Sequence, residues 1–341
     1  MQRLLYINNY NCTNIHQKDY PDSHMWGADY LSKYFQVTCA KIPKDIIKSH
    51  TKIGRIVNGI YKRLMLFIKY YSFPIVYAAC GDMTDMFAIG NLCNLGNRKL
   101  FMIQHHGGHP IRFSKGYTSI IFISSVIAEL YPKLASRYLI EWGGDVEFAL
   151  PYLALESKSL LKYDFISAGK SYRDYKCMVE AFNGIQGHAV IIAAVSGLDH
   201  DDSKITIISG SDPRKNSLTD NEVFSYYAKS KFVVIPCSKP TPFTQYTLKG
   251  LTSFVDAVIM QKPVLISDST NMGIDVEKLG IGIVYKAGNV KDMHQKMLYL
   301  LRLDNNTYTQ MSQKMYSYSL SHNYKVFCQK LYDTIKLNTN N

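Results

Sequence analysis

The stretch that decides the fold reads YYAKSKFVVIPCSKPTPFTQYTLKGLTSFVDAVIMQKPVLISDS, residues 226–269. The apolar run Phe232–Pro236 has the length of a buried strand, and a long polar loop follows it. Apolar residues at helical spacing then start near Gly250-Leu251-Thr252-Ser253 and continue to Met260. Gln261-Lys262-Pro263-Val264 turns the chain into a further apolar run, Pro263–Ile266. Strand, helix and strand in succession make one unit of a parallel sheet. Small residues at the helix start leave backbone N–H groups for a phosphate, which the helix dipole also favours.

The same alternation recurs along the whole chain. Candidate strands at Leu4–Ile7, Phe35–Cys39, Pro74–Ala79, Leu100–Gln104, Ile120–Ile123 and Tyr138–Glu141 form a first series. A second comprises Asp164–Ala168, Ala189–Ala194, Ile205–Ile208, Phe232–Pro236, Pro263–Ile266 and Gly282–Tyr285. Amphipathic stretches such as Tyr172–Phe182, Leu251–Met260 and Val290–Leu301 separate several of them. Two series predict an α/β protein of two Rossmann-like, doubly wound domains. Pro151 and the polar ESKSLLKY break the pattern within Leu150–Tyr163, so the expected domains are 1–150 and 151–308. Residues 309–341 are expected to form C-terminal helices, with Asn323 between them, that cross back in part to the first domain.

Composition narrows the setting. The 341 residues suit two domains, and 47% hydrophobic with 19% charged residues is a folded profile. The net charge of +12 fits nucleic acid, anionic lipid or phosphorylated small molecules. Much of it is concentrated early: Lys41, Lys44, Lys48, Lys52, Arg55, Lys62, Arg63 and Lys69 face the single acid Asp45. Ile46, Ile47, Ile53, Ile56, Ile60, Leu64, Leu66 and Phe67 lie among them, the mix of an interfacial helix on an anionic membrane, or of a core helix with a basic face. No RNP-like run or finger spacing accompanies the charge, which argues against nucleic acid. Seven scattered cysteines without a CxxC pair argue against disulfides and zinc and for a reducing cytoplasm. MQRLLYINNY lacks a signal-peptide core, and no run approaches about 18 uninterrupted apolar residues. The Asn11-Cys12-Thr13 sequon therefore reads as chance.

Residues just after strands carry the candidate chemistry, because open α/β sheets bind ligands beyond the carboxyl ends of their strands. In Phe165-Ile-Ser-Ala-Gly169-Lys170-Ser-Tyr-Arg173-Asp174-Tyr-Lys176 a glycine follows a strand, and three cations come within seven positions. Fixed cations suit a phosphate-bearing ligand. Gly169-Lys170-Ser171 also resembles the end of a Walker A loop, but that motif needs glycine where Asp164 stands. Asp256 lies four residues past Thr252, within reach of ribose hydroxyls or simply solvated. His105, His106 and His109 follow another strand, and the intervening glycines argue against the helix a metal pair at 105 and 109 would need. Asp82, in Cys80-Gly81-Asp82-Met83, could orient an acceptor hydroxyl or cap a helix. Asp199-His200-Asp201-Asp202 contains a DxD, read as a solvated turn, and no metal site is expected.

The segment 226–285 resembles the donor half of GT-B retaining glycosyltransferases of family 4, in which a Gly-rich turn and helix are followed by EAMA-x-GKPV. That stretch here reads Asp256-Ala-Val-Ile-Met-Gln261-Lys262-Pro263-Val264. The resemblance implies the GT-B fold and metal-independent, retaining transfer from a nucleotide-sugar donor, with no cofactor. It assigns Gly169, Lys170 or Arg173, Lys176 and the turn Gly250, Leu251, Thr252, Ser253 to the donor diphosphate, and Asp256 to its ribose. The family's first glutamate is replaced by Leu248. His106, with His105 second, would contact the donor sugar, and Gly27 with His24 would mark the family's first loop. Ile140-Glu141-Trp142-Gly143-Gly144-Asp145 resembles its hinge turn. By analogy the acceptor is a saccharide, lipid-linked, in bacterial surface-polysaccharide assembly, and the enzyme is peripheral on the inner face of the cytoplasmic membrane. A GT-B sugar-nucleotide epimerase, or a non-catalytic membrane-docked partner of a transferase, are the competing readings.

Overall fold

The computed structural model describes all residues except 9–19, 48–50, 80, 109, 157–160, 194, 196, 210–217 and 340–341. The Asn11 sequon, Lys48, Cys80 and His109 thus lie outside the described residues. The first strands and helices are β1 (Arg3–Ile7), α1 (Ala28–Leu31), β2 (Gln36–Cys39), α2 (Lys52–Lys69), β3 (Ile75–Ala78), α3 (Asp85–Leu92), β4 (Lys99–Gln104), β5 (Ser119–Phe122), α4 (Ser125–Glu129) and β6 (Arg137–Leu139). There follow α5 (Val146–Glu156), β7 (Tyr163–Ala168), α6 (Tyr175–Phe182), β8 (Ala189–Ile192), β9 (Ile205–Ile208), α7 (Asp220–Ala228), β10 (Ser230–Ile235), α8 (Leu251–Ile259), β11 (Val264–Ser267), β12 (Gly282–Tyr285), α9 (Val290–Leu301), α10 (Asn305–Ser321) and α11 (Tyr324–Thr339). The twelve strands among the described residues coincide, within a residue or two, with the apolar runs of the sequence.

The chain divides into two compact units. One comprises Met1–Gln17, His24–Glu141 and Phe327–Asn341; the other comprises Lys18–Ser23 and Trp142–Val326. α5 belongs to the second unit, where Phe148 meets Phe224 of α7 edge-on at 5.0 Å and the Tyr152 hydroxyl reaches Asn221 at 2.7 Å. α10 also belongs there, and α11 from Phe327 onward belongs to the first unit.

Each unit holds one six-stranded sheet in which neighbouring strands are parallel. Strands covered on both faces need apolar residues at every position, which is why they read as continuous runs. The first sheet has the order β2-β1-β3-β4-β5-β6. Its core joins Leu5, Val76, Leu100 and Phe122 to Leu66 of α2 and Phe87 of α3. The second has the order β12-β11-β10-β7-β8-β9, with Phe165, Ile191, Phe232 and Leu265 packed against Met178 and Phe182 of α6 and Met293 and Met297 of α9. Side chains stop its helices from fraying: Thr219 and Glu222 make a capping box on α7, and Asn289 and Asp304 cap α9 and α10. Strand order reverses between β1 and β3 in the first sheet and between β7 and β10 in the second. Such reversals open a crevice at the carboxyl ends of the strands.

Within the first unit, α11 is anchored on the start of α1. Tyr332 stacks on Tyr34 at 4.1 Å, and the Tyr30 hydroxyl bonds to Gln329 at 2.6 Å. Gly27 begins α1 with φ 85°, and a Cβ there would lie 2.7 Å from Leu331 Cδ2. The missing side chain at Gly27 therefore serves packing against α11. Gly27→Ala is expected to cost about 1–3 kcal/mol from strain and overpacking. Gly184 has φ 78° but open space around its Cβ position, so Gly184→Ala should cost only the strain, roughly 1 kcal/mol. Denaturant melts of the two variants isolate the packing component.

Candidate active site

In the second unit the loops after β7 and β10 are stitched together at the point where strand order reverses. Asp174 N–H donates to Pro236 O at 2.6 Å, Ser238 N–H to Tyr172 O at 2.9 Å, and Arg173 pairs with Cys237 in an isolated antiparallel bridge. α8 starts over this junction. Its N-cap, Gly250, sits at φ 79° with no side-chain cap, and a Cβ there would come 2.6 Å from Ile235 Cγ2. Only glycine lets the chain turn so close to the end of β10. The first-turn amides of Leu251, Thr252 and Ser253 point back along the helix axis, as at any helix N-terminus, with the positive end of the dipole.

Two cations converge on this turn. Arg173 donates to Ser253 Oγ at 2.9 Å and to Ser171 O at 2.9 Å, and lies 3.8 Å from Cys237 Sγ. Ser253 in turn donates to Ala168 O at 2.6 Å, which ties the helix start to the end of β7. The guanidinium lies over Gly169, where a Cβ would come within 2.7 Å of it, and its Nε is buried without a partner. Lys249 is only 1% exposed; its ammonium donates to Ser238 O at 3.1 Å and faces the Tyr172 ring at 6.0 Å. Burial lowers the Lys249 pKa, and the neighbouring Cys237 thiol opposes that shift. Among the described residues neither cation forms an ion pair with a carboxylate. Enclosed positive charge without a counter-ion is costly unless an anion arrives to match it.

The other candidate donor residues differ in exposure and partners. Lys170 is exposed on the turn after β7. Lys176 is exposed on the first turn of α6, 3.9 Å from Glu180, and so stands apart from Arg173. Thr252 is exposed, Leu251 half-buried and Ser253 buried. Asp256 is half-buried on α8: burial first, and then the charge of Asp220 of α7, hold its pKa well above the usual carboxylate range. Lys249 is a further candidate that the sequence alone does not single out. Its only signal was adjacency to the glycine that starts α8.

In the first unit, His105 and His106 follow β4, next to the reversal between β1 and β3. His105 is the enclosed one. Its ring packs against Trp26, tilted by 33° with centroids 4.5 Å apart, and its Nε2 is buried with no partner. Burial first, and then the His106 charge, push its pKa down to about 4, against a hydrogen bond to the Ala79 backbone. It is a neutral imidazole near pH 7. His106 is exposed, its pKa lowered by burial of the ring nitrogens and raised by Asp82. Asp82 lies in the short turn Gly81–Met83 and does not cap α3, whose N-cap is Thr84. His24 lies half-buried on the turn Asp22–Met25. Glycines of the expected hinge turn pack tightly: Cβ positions at Gly143 and Gly144 would meet the Asn323 backbone at 2.5 Å and Ile259 Cγ2 at 2.8 Å. In the DxD turn, Asp202 pairs with His200 at 2.8 Å and Asp201 accepts from Ser203 at 2.5 Å. Among the described residues no three His, Cys, Asp or Glu side chains gather as a metal site would require.

No family model and no curated protein matches the sequence. Solved structures do. The α,α-trehalose 6-phosphate synthase of Burkholderia multivorans is similar at a TM-score of 0.71 and 10% identity, over 98% of this chain and 96% of its own. A glycosyltransferase of Rickettsia africae is similar at 0.65 and 12%, over 100% and 99%. Anabaena HepE, solved with UDP, is similar at 0.65 and 10%, over 98% and 100%. At such identities the likeness establishes fold alone: two Rossmann-like parallel sheets, as in GT-B glycosyltransferases.

Two substitutions separate stability from binding at this site. Between the ordinary carboxylate value and the raised native pKa of Asp256, the folded state holds more protons than the unfolded one, so stability falls as pH rises. Asp256→Asn should therefore be no less stable than wild type at pH 8, and the gain should vanish near pH 4, as read from urea midpoints. Lys249→Met removes an enclosed, unmatched charge and should leave stability unchanged or higher in a urea melt.

Proposed function

We propose that the chain is a glycosyltransferase that moves a sugar from a nucleotide-sugar donor onto a saccharide acceptor. The observation that carries this reading is the pair of cations, Arg173 and Lys249, set at the uncapped start of α8 with no carboxylate to neutralise them. Glycosyl transfer from such a donor expels a nucleoside diphosphate. Charge grows on the leaving oxygen as the bond to the anomeric carbon lengthens, and preorganised donors aimed at that charge lower the barrier. Arg173 and Lys249 supply fixed positive charge, Leu251–Ser253 supply amides, and Lys170 on the turn after β7 and Lys176 on the first turn of α6 are proposed for the outer phosphate oxygens. That much charge does the work a divalent ion performs elsewhere, which supports transfer without a metal. Asp256 is the residue proposed for the donor ribose, in the neutral form its surroundings favour.

On the first unit, His106 and Asp82 are proposed to contact the sugar and the acceptor hydroxyl, with His24 and Gly27 on the first loop. The enclosed, neutral His105 fixes the position of its neighbour by packing against Trp26. The finer reading follows from the resemblance to family 4: retention at the anomeric carbon, a lipid-linked saccharide acceptor, and a role in surface-polysaccharide assembly. The basic segment 41–69 supports a place at an anionic membrane surface, on the cytoplasmic side. No described helix is long and apolar enough to cross a membrane.

A thermal-shift panel of UDP-, GDP-, ADP- and CMP-linked sugars, with and without EDTA, tests the donor assignment. One nucleotide class should raise Tm regardless of EDTA. Arg173→Ala should weaken its binding by roughly 10- to 100-fold, the loss expected for charge-assisted hydrogen bonds of about 1.5–3 kcal/mol. Lys249→Met should weaken it as well, while the protein stays folded. No response to any of the four classes would remove the enzyme reading.

A further inference from the structure

α2 presents the wrong face to water. Its inner side, carrying Gly54, Asn58 and Leu66, is buried against the first unit. On the opposite side Ile53, Ile56, Ile60, Leu64 and Ile68 follow at spacings of three, four, four and four, which places them on one stripe. They are 75%, 53%, 58%, 40% and 59% exposed. A surface helix normally turns polar residues outward. Fifteen residues of rise make this apolar line about 22 Å long. A contiguous patch of that kind on a soluble face marks an interaction site.

A second apolar element is held beside it. Asn58 Oδ1 accepts from both Ile46 N–H and Ile47 N–H at 3.1 Å, and Asn58 Nδ2 donates to Ile47 O at 2.9 Å. The clamp fixes the backbone of the pair while their side chains stay 54% and 39% exposed. Lys41, Lys44, Lys52, Arg55 and Lys69 of the same segment are all exposed. The one acid, Asp45, is taken up by Lys62 at 2.7 Å. The patch is thus aliphatic at its centre, basic at its margin and without net negative charge anywhere.

We infer that α2, together with the clamped Ile46–Ile47 pair, lies in the plane of an anionic bilayer and inserts its isoleucine stripe below the headgroups. This rests on the membrane reading above and deepens it, since a basic surface alone would only adsorb. The composition selects lipid over protein. Protein interfaces centre on Tyr, Trp and Arg anchors, whereas this stripe carries branched aliphatics alone and keeps its cations at the edge, where headgroup phosphates lie. The inserted stripe would hold the first unit in one orientation at the surface where a lipid-linked acceptor is presented.

Sedimentation with phosphatidylcholine vesicles containing phosphatidylglycerol, against pure phosphatidylcholine, tests this in the full chain. Wild type should bind the mixed vesicles. Ile56→Ser/Ile60→Ser should weaken binding at least tenfold and leave the nucleotide thermal shift unchanged, which shows that the variant is folded. Lys52→Gln/Arg55→Gln should weaken it by roughly fivefold per cation. An Ile60→Trp variant should gain fluorescence that brominated lipids quench. Binding that survives the double serine variant, with no added quenching in Ile60→Trp, would overturn insertion while leaving electrostatic adsorption intact. Absence of binding to either vesicle would remove the membrane reading and insertion with it. A dimer in solution that the serine variant dissociates would assign the stripe to a second copy of the chain and overturn the inference.

Discussion

The hydroxyl of Ser253 holds the second unit's site together. It donates to the last carbonyl of β7 and accepts from Arg173, so the start of α8, the end of β7 and the guanidinium have one shared geometry. The loop after β10 is drawn in by the Arg173–Cys237 bridge and the Ser238–Tyr172 hydrogen bond. A helix N-terminus alone is a weak anion site. One fixed to the point where strand order reverses, with a guanidinium laid against it, presents its amides and its charge in a preorganised array.

The energetic character of this corner follows from what it lacks. Each structural ion pair among the described residues has its carboxylate; Lys62 has Asp45 and Arg63 has Asp85. Arg173 and Lys249 have carbonyls, a hydroxyl and a thiol instead. Neutral partners orient a cation without cancelling it, so the field at the α8 terminus survives for a ligand. The first unit uses the opposite device near its own reversal: burial keeps His105 uncharged, and its ring packs on Trp26.

Much of the fold was legible in the sequence because parallel strands covered on both faces are continuous apolar runs, and twelve such runs coincide with the twelve strands among the described residues. The glycines and cations around Gly169 and Gly250 were legible for the same reason, since they sit directly after those runs. What the sequence hid was direction. Lys249 reads as one more loop lysine, and only the turn at Gly250 folds it inward. Lys176 and Arg173 look equivalent in a string of cations, yet one projects from α6 while the other is pinned to Ser253. Asp256 reads as a ribose ligand or a solvated helix residue, and the sequence alone does not show that burial raises its pKa. The amphipathic spacing of α2 was visible, but its burial through Gly54 and Asn58, with the isoleucines outward, depends on tertiary packing.

The central claim is that the α8 terminus, Arg173 and Lys249 together bind the diphosphate of a nucleotide. A crystal structure of the chain grown with UDP, and another with GDP, addresses it directly. In the nucleotide complex, phosphate oxygens should lie within hydrogen-bonding distance of the Leu251–Ser253 amides and of the Arg173 guanidinium, with the Lys249 ammonium turned toward them. A bound nucleotide whose phosphates lie elsewhere, with Lys249 still closed on Ser238, would contradict it.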